Sequence, residues 1–343
     1  MAGVANRAQD RKYGLFHAVV AAAILAHVAL VAVTFGVTLP RPADPATAPA
    51  LPSAAALPVT RAALPLLAPG GRIVVPSSAE QLQQTFEDLA FDLDEIRGRA
   101  GTVPRLRVTV LPGDLGRIAD IDRRKSIFLR TALPLVLMAS EEVRQDRMRI
   151  LEIQAKRVRG VALDPPERRW LAVMAAHYEV AQNDFENLLR HVDTVPASLA
   201  LAQSIEESGW GTSRLAQEGR ALYGQRTWSA RIAGLVPVRR ADGKTFRVRS
   251  FVNLLDSARA YLFNLNTHPA YADLRAERAR LRAARRPLSG MHLAAFLSRY
   301  AETGDAYIVH IRRLIRGNRL AALDDARLAP QLGVQIAART ADR

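Results

Sequence analysis

An uncharged apolar run near the N-terminus confines the folded part of this chain to the residues after it. No Asp, Glu, Lys or Arg occurs between Tyr13 and Pro40, and the apolar run Leu15–Val37 is close to the ~20 residues that a helix needs to span a bilayer. Basic residues precede the run, and basic residues stay on the cytoplasmic side of a membrane. The sequence therefore predicts a cytoplasmic segment at 1–14 and a transmembrane anchor helix at 15–38, with the rest of the chain outside the membrane.

A cleaved signal peptide is the alternative, and a late cleavage site is available at Ala43, Ala48 or Ala50. The apolar run is longer than the roughly 7–15 residues of a signal-peptide core, which favours the uncleaved anchor. The next segment, 39–72, is rich in Pro, Ala, Thr and Ser, a composition typical of an extended linker. We expect the folded part to begin at residue 73 and a C-terminal tail to cover 321–343.

Composition limits the classes of function that remain. The net charge is +15, so the chain suits phosphates, anionic lipids or an acidic polymer. Its basic residues form no recognisable nucleic-acid-reading motif, and no nucleic-acid partner is expected. The absence of cysteine excludes disulfides, thiol nucleophiles and cysteine zinc sites.

The first part of the folded region has the patterns of a helical scaffold. Ser77 followed by Glu80 predicts a capping box at the start of a helix. A long helical pattern covers Ile118–Val158, with Pro134 inside it as a predicted kink. Asp164, followed by two prolines, predicts the cap of another helix. These segments carry no recognisable chemistry.

The chemistry is concentrated in a helix that Pro196 begins and Gly209 ends. Glu207 falls on its last turn, where a carboxyl can face a groove, and Gln203 lies one turn earlier on the same side. We expect Trp210 to cover the carboxyl and remove it from water, which raises a carboxyl pKa. A glycosidase needs such an acid, still protonated near neutral pH, to protonate a leaving glycosidic oxygen. The alternative is that Glu207 is an exposed glutamate at the end of a helix, with no catalytic role.

These residues carry a resemblance to a known family. The stretch A-Q-S-x-x-E-S-G-W-G-T-S at 202–213, followed by L-Y-G at 222–224, resembles the glucosaminidase domain of the lysozyme-like superfamily, which cuts bacterial peptidoglycan. Further motifs make the chain similar to the Bax-type proteins of Gram-negative bacteria. They are L-P-x-D-L at 111–115, R-K-S-I-F at 124–128, L-P-L-V-L at 133–137, N-L-N-T-H-P-A-Y at 264–271 and R-Y-A-E-T-G-D-A-Y at 299–307.

The resemblance implies a fold, a substrate and a location. The fold is α+β and predominantly α: a lysozyme-like glucosaminidase domain with a small β-hairpin, after the N-terminal transmembrane helix. A helical N-terminal part at 73–185 would precede the catalytic domain at 186–320. The partners would be peptidoglycan glycan strands and the inner membrane, and the domain would lie in the periplasm. No metal or organic cofactor is implied.

The resemblance also assigns roles to residues. The glutamate before Ser-Gly-Trp-Gly, Glu207, is the catalytic acid, and Glu206, turned about 100° around the helix, lies on the rim. Tyr300 is the candidate for hydrogen bonding to the substrate, whereas Tyr307 more often belongs to the core. The other substrate-binding candidates are suggested by residue type and position and not by the resemblance. For the aromatic residues the alternative is packing in the core, and for the histidine it is a structural role. They are Gln203, Glu206, Trp210, Tyr223, Trp228 and His268.

The second half of the expected site departs from the family pattern. Many glucosaminidases carry another glutamate in a hairpin, but the hairpin predicted here, at 235–251, has Asp242 as its only carboxylate, and a turn role fits that residue better. Ala221 also replaces the usual Asn before Leu-Tyr-Gly. The remaining route is substrate assistance, in which the 2-acetamido group of the sugar acts as the nucleophile.

Two other functions stay open on the sequence. A lytic transglycosylase also uses one glutamate, but it closes a ring within the sugar and leaves an anhydro product lighter by one water. A non-catalytic protein that tethers the membrane to the cell wall would explain the missing hairpin glutamate.

Overall fold

The structure is a computed structural model that describes residues 70–99, 102–238, 240, 243–301 and 303–331. The predicted segments 1–14 and 15–38, and all but the end of the linker 39–72, lie outside these residues and stay predictions. In the described ranges, no helix combines the length and apolar character that crossing a membrane requires.

The described part of the chain is mostly helical, which confirms a predominantly α fold with few and short strands. The helices are α1 (Ala79–Asp88), α2 (Leu93–Arg99), α3 (Ile121–Val158), α4 (Pro165–His177), α5 (Phe185–His191), α6 (Ala197–Ser208), α7 (Arg214–Gly219), α8 (Leu254–Thr267), α9 (Ala272–Ala283), α10 (Gly290–Leu293) and α11 (Asp305–Gly317). Short 3₁₀ helices connect several of them, at Leu115–Arg117, Pro269–Tyr271, Ala294–Phe296 and Leu320–Leu323.

The strands form three small sheets. The strands are β1 (Arg72–Val74), β2 (Thr102–Val103), β3 (Leu106–Val108), β4 (Arg226–Thr227), β5 (Gly234–Leu235), β6 (Arg247–Arg249) and β7 (Arg327–Leu328). β1 pairs with β3 and β2 with β7, both in parallel, and β6 lies between β4 and β5 in an antiparallel sheet. Leu235 pairs with Val248, which confirms the hairpin, although its strands are shorter than the sequence predicted. Asp242 lies outside the described residues.

Two predicted helix starts need correction. The first helix is capped by Ser78, whose side chain accepts from the backbone N–H of Gln81, so the cap lies one residue after Ser77. The long helix α3 begins at Ile121 rather than residue 118, because Asp120 accepts the N–H groups of its first turn. The predicted cap at Asp164 is confirmed as a complete capping box.

Helix α6 lies inside a single hydrophobic core that includes residues from Ala79 to Ala326. It packs against α3, α10, α11 and the 3₁₀ helix after α11. Every residue of α6 is buried except Glu206, which is exposed, and Glu207, which is half-buried. The two segments predicted as a scaffold and a catalytic domain therefore contribute to one core, and α6 reaches solvent only at its last turn.

Both ends of α6 are fixed by specific groups. Pro196 at the N-cap offers no capping side chain, and Asp324 takes that role by accepting from the Ser198 N–H at 2.8 Å and the Ser198 hydroxyl at 2.9 Å. A side chain on Gly290 would come within 2.1 Å of that hydroxyl, so the close approach requires glycine. At the other end Gly209 adopts a left-handed conformation, φ 57°, and ends the helix.

A buried ion cluster holds the loop that leads into α6. The Arg278 guanidinium is almost wholly buried, and it donates to the loop carbonyls of Asp193 and Thr194 and to the side chain of Asn266 at 2.7 Å. Burial alone would raise the pKa of Asp193, but Arg278, Arg282 and Arg147 outweigh burial and hold that pKa below its ordinary value. The loop is thereby tied to α9, and the position of α6 is set before its first turn.

Candidate active site

The carboxyl of Glu207 lies at the open end of α6, against groups from two other parts of the chain. The Tyr307 hydroxyl, from α11, donates to Oε1 of Glu207 at 3.4 Å. The backbone of Gly224 packs on the other oxygen, since a Cβ at that position would lie 2.6 Å from Oε2. Gly224 also has a left-handed φ of 60°, so both its conformation and its closeness to Glu207 favour glycine.

A chain of buried hydrogen bonds orients the Tyr307 hydroxyl. The Tyr261 hydroxyl donates to Oε1 of Gln203 at 2.7 Å, and Nε2 of Gln203 donates to the Tyr307 oxygen at 3.1 Å. Because the Tyr307 oxygen already accepts from Gln203, its own proton is free to point at Glu207. The arrangement makes Tyr307 a donor to Glu207, which suits the ionised carboxylate that remains after proton transfer.

The surroundings of Glu207 raise its pKa from 4.5 to about 7. Removal from water is the largest cause, and the negative charge of Glu206 adds to it. The hydrogen bond from Tyr307 and the positive charge of Arg226 act in the opposite direction and are outweighed. A carboxylic acid with this pKa is partly protonated at neutral pH and can both donate and accept a proton there.

Glu206 points away from the buried carboxyl of Glu207, and its predicted rim position stays a prediction. Its side chain is exposed, and Oε2 is 2.6 Å from Nε2 of His310. Tyr307 and His310 are three residues apart on α11, so one face of that helix contacts both glutamates. α11 therefore gives the two carboxyls different environments, one buried and hydrogen-bonded by a phenol, the other solvated and paired with an imidazole.

Trp210 lies in the turn after α6 with a left-handed φ of 57°. Its ring makes an edge contact with Phe128, with centroids 5.9 Å apart, and the ammonium of Lys125 lies 5.6 Å from its centroid. The groups that the structure places on the Glu207 carboxyl are Tyr307 and Gly224. The predicted cover of that carboxyl by Trp210 stays a prediction.

Two of the residues predicted to bind substrate belong to the interior, which corrects the sequence-based assignment. Gln203 has no exposed surface, and its side-chain amide forms hydrogen bonds with Tyr261 and Tyr307. It therefore positions Tyr307, the neighbour of Glu207, and does not face a substrate. Tyr223 is 1% exposed, and its ring stacks on Tyr261 with centroids 3.9 Å apart. A ring covered in this way has no free face for a sugar.

Tyr300 lies beside the site but is also packed. Its ring stacks on Tyr307 with centroids 5.3 Å apart, and its hydroxyl donates to the backbone carbonyl of Tyr223 at 3.3 Å. Burial and the negative charge of Glu207 both raise the pKa of Tyr300 well above its ordinary value, which places this tyrosine in the field of the carboxyl. Its predicted contact with substrate stays a prediction.

The two remaining candidates are exposed. Trp228 follows β4 with 68% of its surface free, close to Phe246 and next to the strand that supplies Arg226. His268 caps the 3₁₀ helix at Pro269–Tyr271, since Nδ1 accepts from the Ala270 N–H at 3.1 Å. In the neutral ring the proton then lies on Nε2, which stays available as a donor.

Sequence reasoning missed Tyr307 and Arg226 as neighbours of the carboxyl and His310 as the partner of Glu206. The i, i+3 spacing of Tyr307 and His310 directly after Gly304 was an available signal of a shared helix face. No local signal marked Arg226, which acts on Glu207 from a neighbouring sheet. In the part of the chain that the structure describes, no group of three or more His, Cys, Asp or Glu side chains is placed to hold a metal ion.

Comparison with known proteins finds similar sequences for much of the chain. A family profile described as mannosyl-glycoprotein endo-beta-N-acetylglucosaminidase matches residues 182–320. The protein bax of Escherichia coli strain K12 is 30% identical over 212 residues, which cover 60% of this chain and 74% of that protein. The catalytic domain of the autolysin Auto from Listeria monocytogenes aligns at 17% identity with a TM-score of 0.31, covering 50% of this chain and 96% of that domain.

The raised pKa of Glu207 predicts a specific pH dependence of stability. Between pH 4.5, which is the ordinary pKa of a glutamate, and a pH of about 7, the folded protein holds the Glu207 proton more tightly than the unfolded chain does. The free energy of unfolding therefore falls as pH rises through this window, by at most about 1.4 kcal/mol per pH unit from this group. Glu207→Gln should remove that slope, so its stability relative to the unsubstituted protein should increase from pH 4.5 to 7 and then level off.

Denaturant unfolding across this pH range measures the effect. Glu206→Gln is the matched control, because it removes an exposed carboxyl on the same turn and should keep most of the slope. If Glu207→Gln and the unsubstituted protein give parallel curves of stability against pH, the carboxyl of Glu207 titrates normally and the described environment is wrong.

Proposed function

The chain belongs to the glucosaminidase family, and on that premise we propose that it hydrolyses the glycan strands of bacterial peptidoglycan. The observation that carries this proposal is the carboxyl of Glu207, half-buried at the end of α6, with a pKa of about 7 and a phenol directed at it. An acid of this kind is what protonation of a glycosidic oxygen requires near neutral pH. The exposed Trp228 near Arg226 offers a ring face to a sugar.

The proposed reaction cleaves the β-1,4 bond between N-acetylglucosamine and N-acetylmuramic acid, with glucosamine on the non-reducing side. Glu207 donates its proton to the oxygen of that bond, and the bond from the oxygen to the anomeric carbon breaks. The carbonyl oxygen of the 2-acetamido group attacks the same carbon and forms a cyclic oxazolinium ion. Glu207, now a carboxylate, takes a proton from water as the water opens this ring, and the acid is restored.

The residues around Glu207 have distinct roles in this scheme. Tyr307 stabilises the carboxylate between the two steps by donating to it, and Gln203 keeps the Tyr307 hydroxyl in that orientation. Glu206 helps to keep Glu207 protonated before the first step, because its negative charge raises the neighbouring pKa. His268 can donate to a sugar hydroxyl from the ring nitrogen that does not cap the 3₁₀ helix.

Glu207→Gln should abolish glycan cleavage, since it keeps the shape of the side chain and removes the transferable proton. A loss of at least about a hundredfold is the scale of one acid–base group. Glu206→Gln should remain active, with the alkaline limb of its pH profile displaced to lower pH, because the charge of Glu206 contributes to the raised pKa of Glu207. The measurement is the rate of release of soluble fragments from purified sacculi between pH 5 and 9. Equal activity of both variants would remove Glu207 from the mechanism.

Substrate assistance predicts that Asp242→Asn keeps most of the activity. The acetamido group would supply the nucleophile, so the only carboxylate of the hairpin is not required. The rate of fragment release is compared with that of the unsubstituted protein at the same pH. A loss of more than about a hundredfold would identify Asp242 as a catalytic base and refute substrate assistance.

A further inference from the structure

A cavity of about 630 Å³ lies between the start of α2, the first turns of α3 and the end of α11. Its volume is in the range of sites that hold small ligands. The apolar part of its wall comes from Phe91, Leu93 and Leu129. Its polar wall holds four basic side chains, Arg97, Lys125, Arg130 and Arg319, and three acidic ones, Asp92, Asp94 and Asp122.

The acidic side chains face solvent and the two arginines nearest the core do not. Asp94 is 71% and Asp122 94% exposed, so their pairs with basic residues are screened by water. Asp92 is also exposed, and its carboxylate accepts N–H groups at the start of α2. Arg97 and Arg130 are only 12% and 9% exposed. The interior of the cavity therefore carries positive charge.

The guanidinium groups of these two arginines are held by the protein. Nη2 of Arg97 donates to the Asn318 carbonyl at 3.1 Å, Nη2 of Arg130 donates to Oε1 of Gln83 at 2.6 Å, and Nε of each is buried away from solvent. Arg97 and Arg319 share one carboxylate, that of Asp94, at 2.9 and 3.3 Å. Guanidinium groups match carboxylates well. The cavity thus has the charge to bind an added carboxylate.

One wall of the cavity lies near the turn that follows α6. Lys125 lines its wall and lies 5.6 Å from the ring centroid of Trp210, which follows Glu207 in the turn after α6. Along α11, Tyr307 at the active site and Gly317 at the cavity are separated by about 15 Å, from the rise of a helix. An extended peptide of five residues spans at most about 16–18 Å. A peptide attached to a sugar near Glu207 can therefore reach the cavity.

We propose that this cavity binds a free carboxylate of a peptide stem on the glycan strand being cut, with Arg97 and Arg130 as inner cations and Lys125 and Arg319 at its mouth. The inference rests on the proposed function, because the peptide stem is part of that substrate. It assigns to the protein a preference for glycan that still carries its peptides.

Direct binding tests the cavity without any cleavage. The probes are an N-acetylated tripeptide with a free C-terminal carboxylate and its carboxamide, titrated into the full chain and followed by calorimetry. The free acid should bind about tenfold more tightly than the carboxamide, the scale of a hydrogen bond to a charged group. Arg319→Gln should reduce this difference, whereas Arg316→Gln should keep it, because Arg316 is an exposed arginine three positions earlier and does not line the cavity. Equal binding of the two probes, or an unchanged difference in Arg319→Gln, would refute the proposal.

Cleavage assays are the second test, and they distinguish the cavity proposal from the proposed hydrolysis of glycan strands. The unsubstituted protein should have a lower KM for peptide-bearing glycan than for glycan stripped of its peptides, and Arg319→Gln should reduce the difference between the two KM values. Cleavage of both substrates with equal KM would refute the cavity and leave the proposed function intact. Selective binding of the free acid without cleavage of either substrate would support the cavity and contradict the proposed function.

Discussion

The burial of helix α6 is the constraint on which the rest of the site depends. α3, α10 and α11 cover its sides, and Asp324 accepts from the N–H of Ser198, so packing and a capping hydrogen bond fix the position of the helix. Gly209 ends it one residue after Ser208, and its only exposed or half-buried residues are on the last turn. A helix packed in this way can present one side chain to a cleft, while the residues that support that side chain stay buried in the core.

The electrostatics of Glu207 follow from that placement. Desolvation favours the neutral acid, and the adjacent Glu206 adds repulsion, while Tyr307 and Arg226 favour the carboxylate. The balance leaves the pKa of Glu207 near 7. This is above the pKa of a solvated carboxyl and below that of a buried carboxyl with no hydrogen-bond donor or positive charge beside it. Both protonation states are then accessible at neutral pH, which a group that acts first as acid and then as base requires.

Local signals predict the parts of the site that lie close together in sequence. Pro196 and Gly209 set the ends of α6, and the register between them predicts the rim position of Glu206. The contacts that complete the site connect residues far apart: Glu207 and Tyr307 are separated by 100 positions. Helical periodicity correctly places Gln203 on the same side of α6 as Glu207. Gln203 is buried because a helix distant in sequence covers it, and periodicity does not predict that. A single sequence holds no measure of such packing, and it therefore predicts only a core position for Tyr307.

Analysis of the products of purified sacculi by mass is the most direct test of the central claim, that this protein hydrolyses a glycosidic bond with Glu207 as its acid. The account predicts soluble fragments that end in a reducing N-acetylglucosamine, with none formed by Glu207→Gln. Fragments lighter by one water, with anhydro ends, would instead identify a lytic transglycosylase. No fragments from the unsubstituted protein would contradict hydrolysis and favour a protein that binds the wall without cutting it.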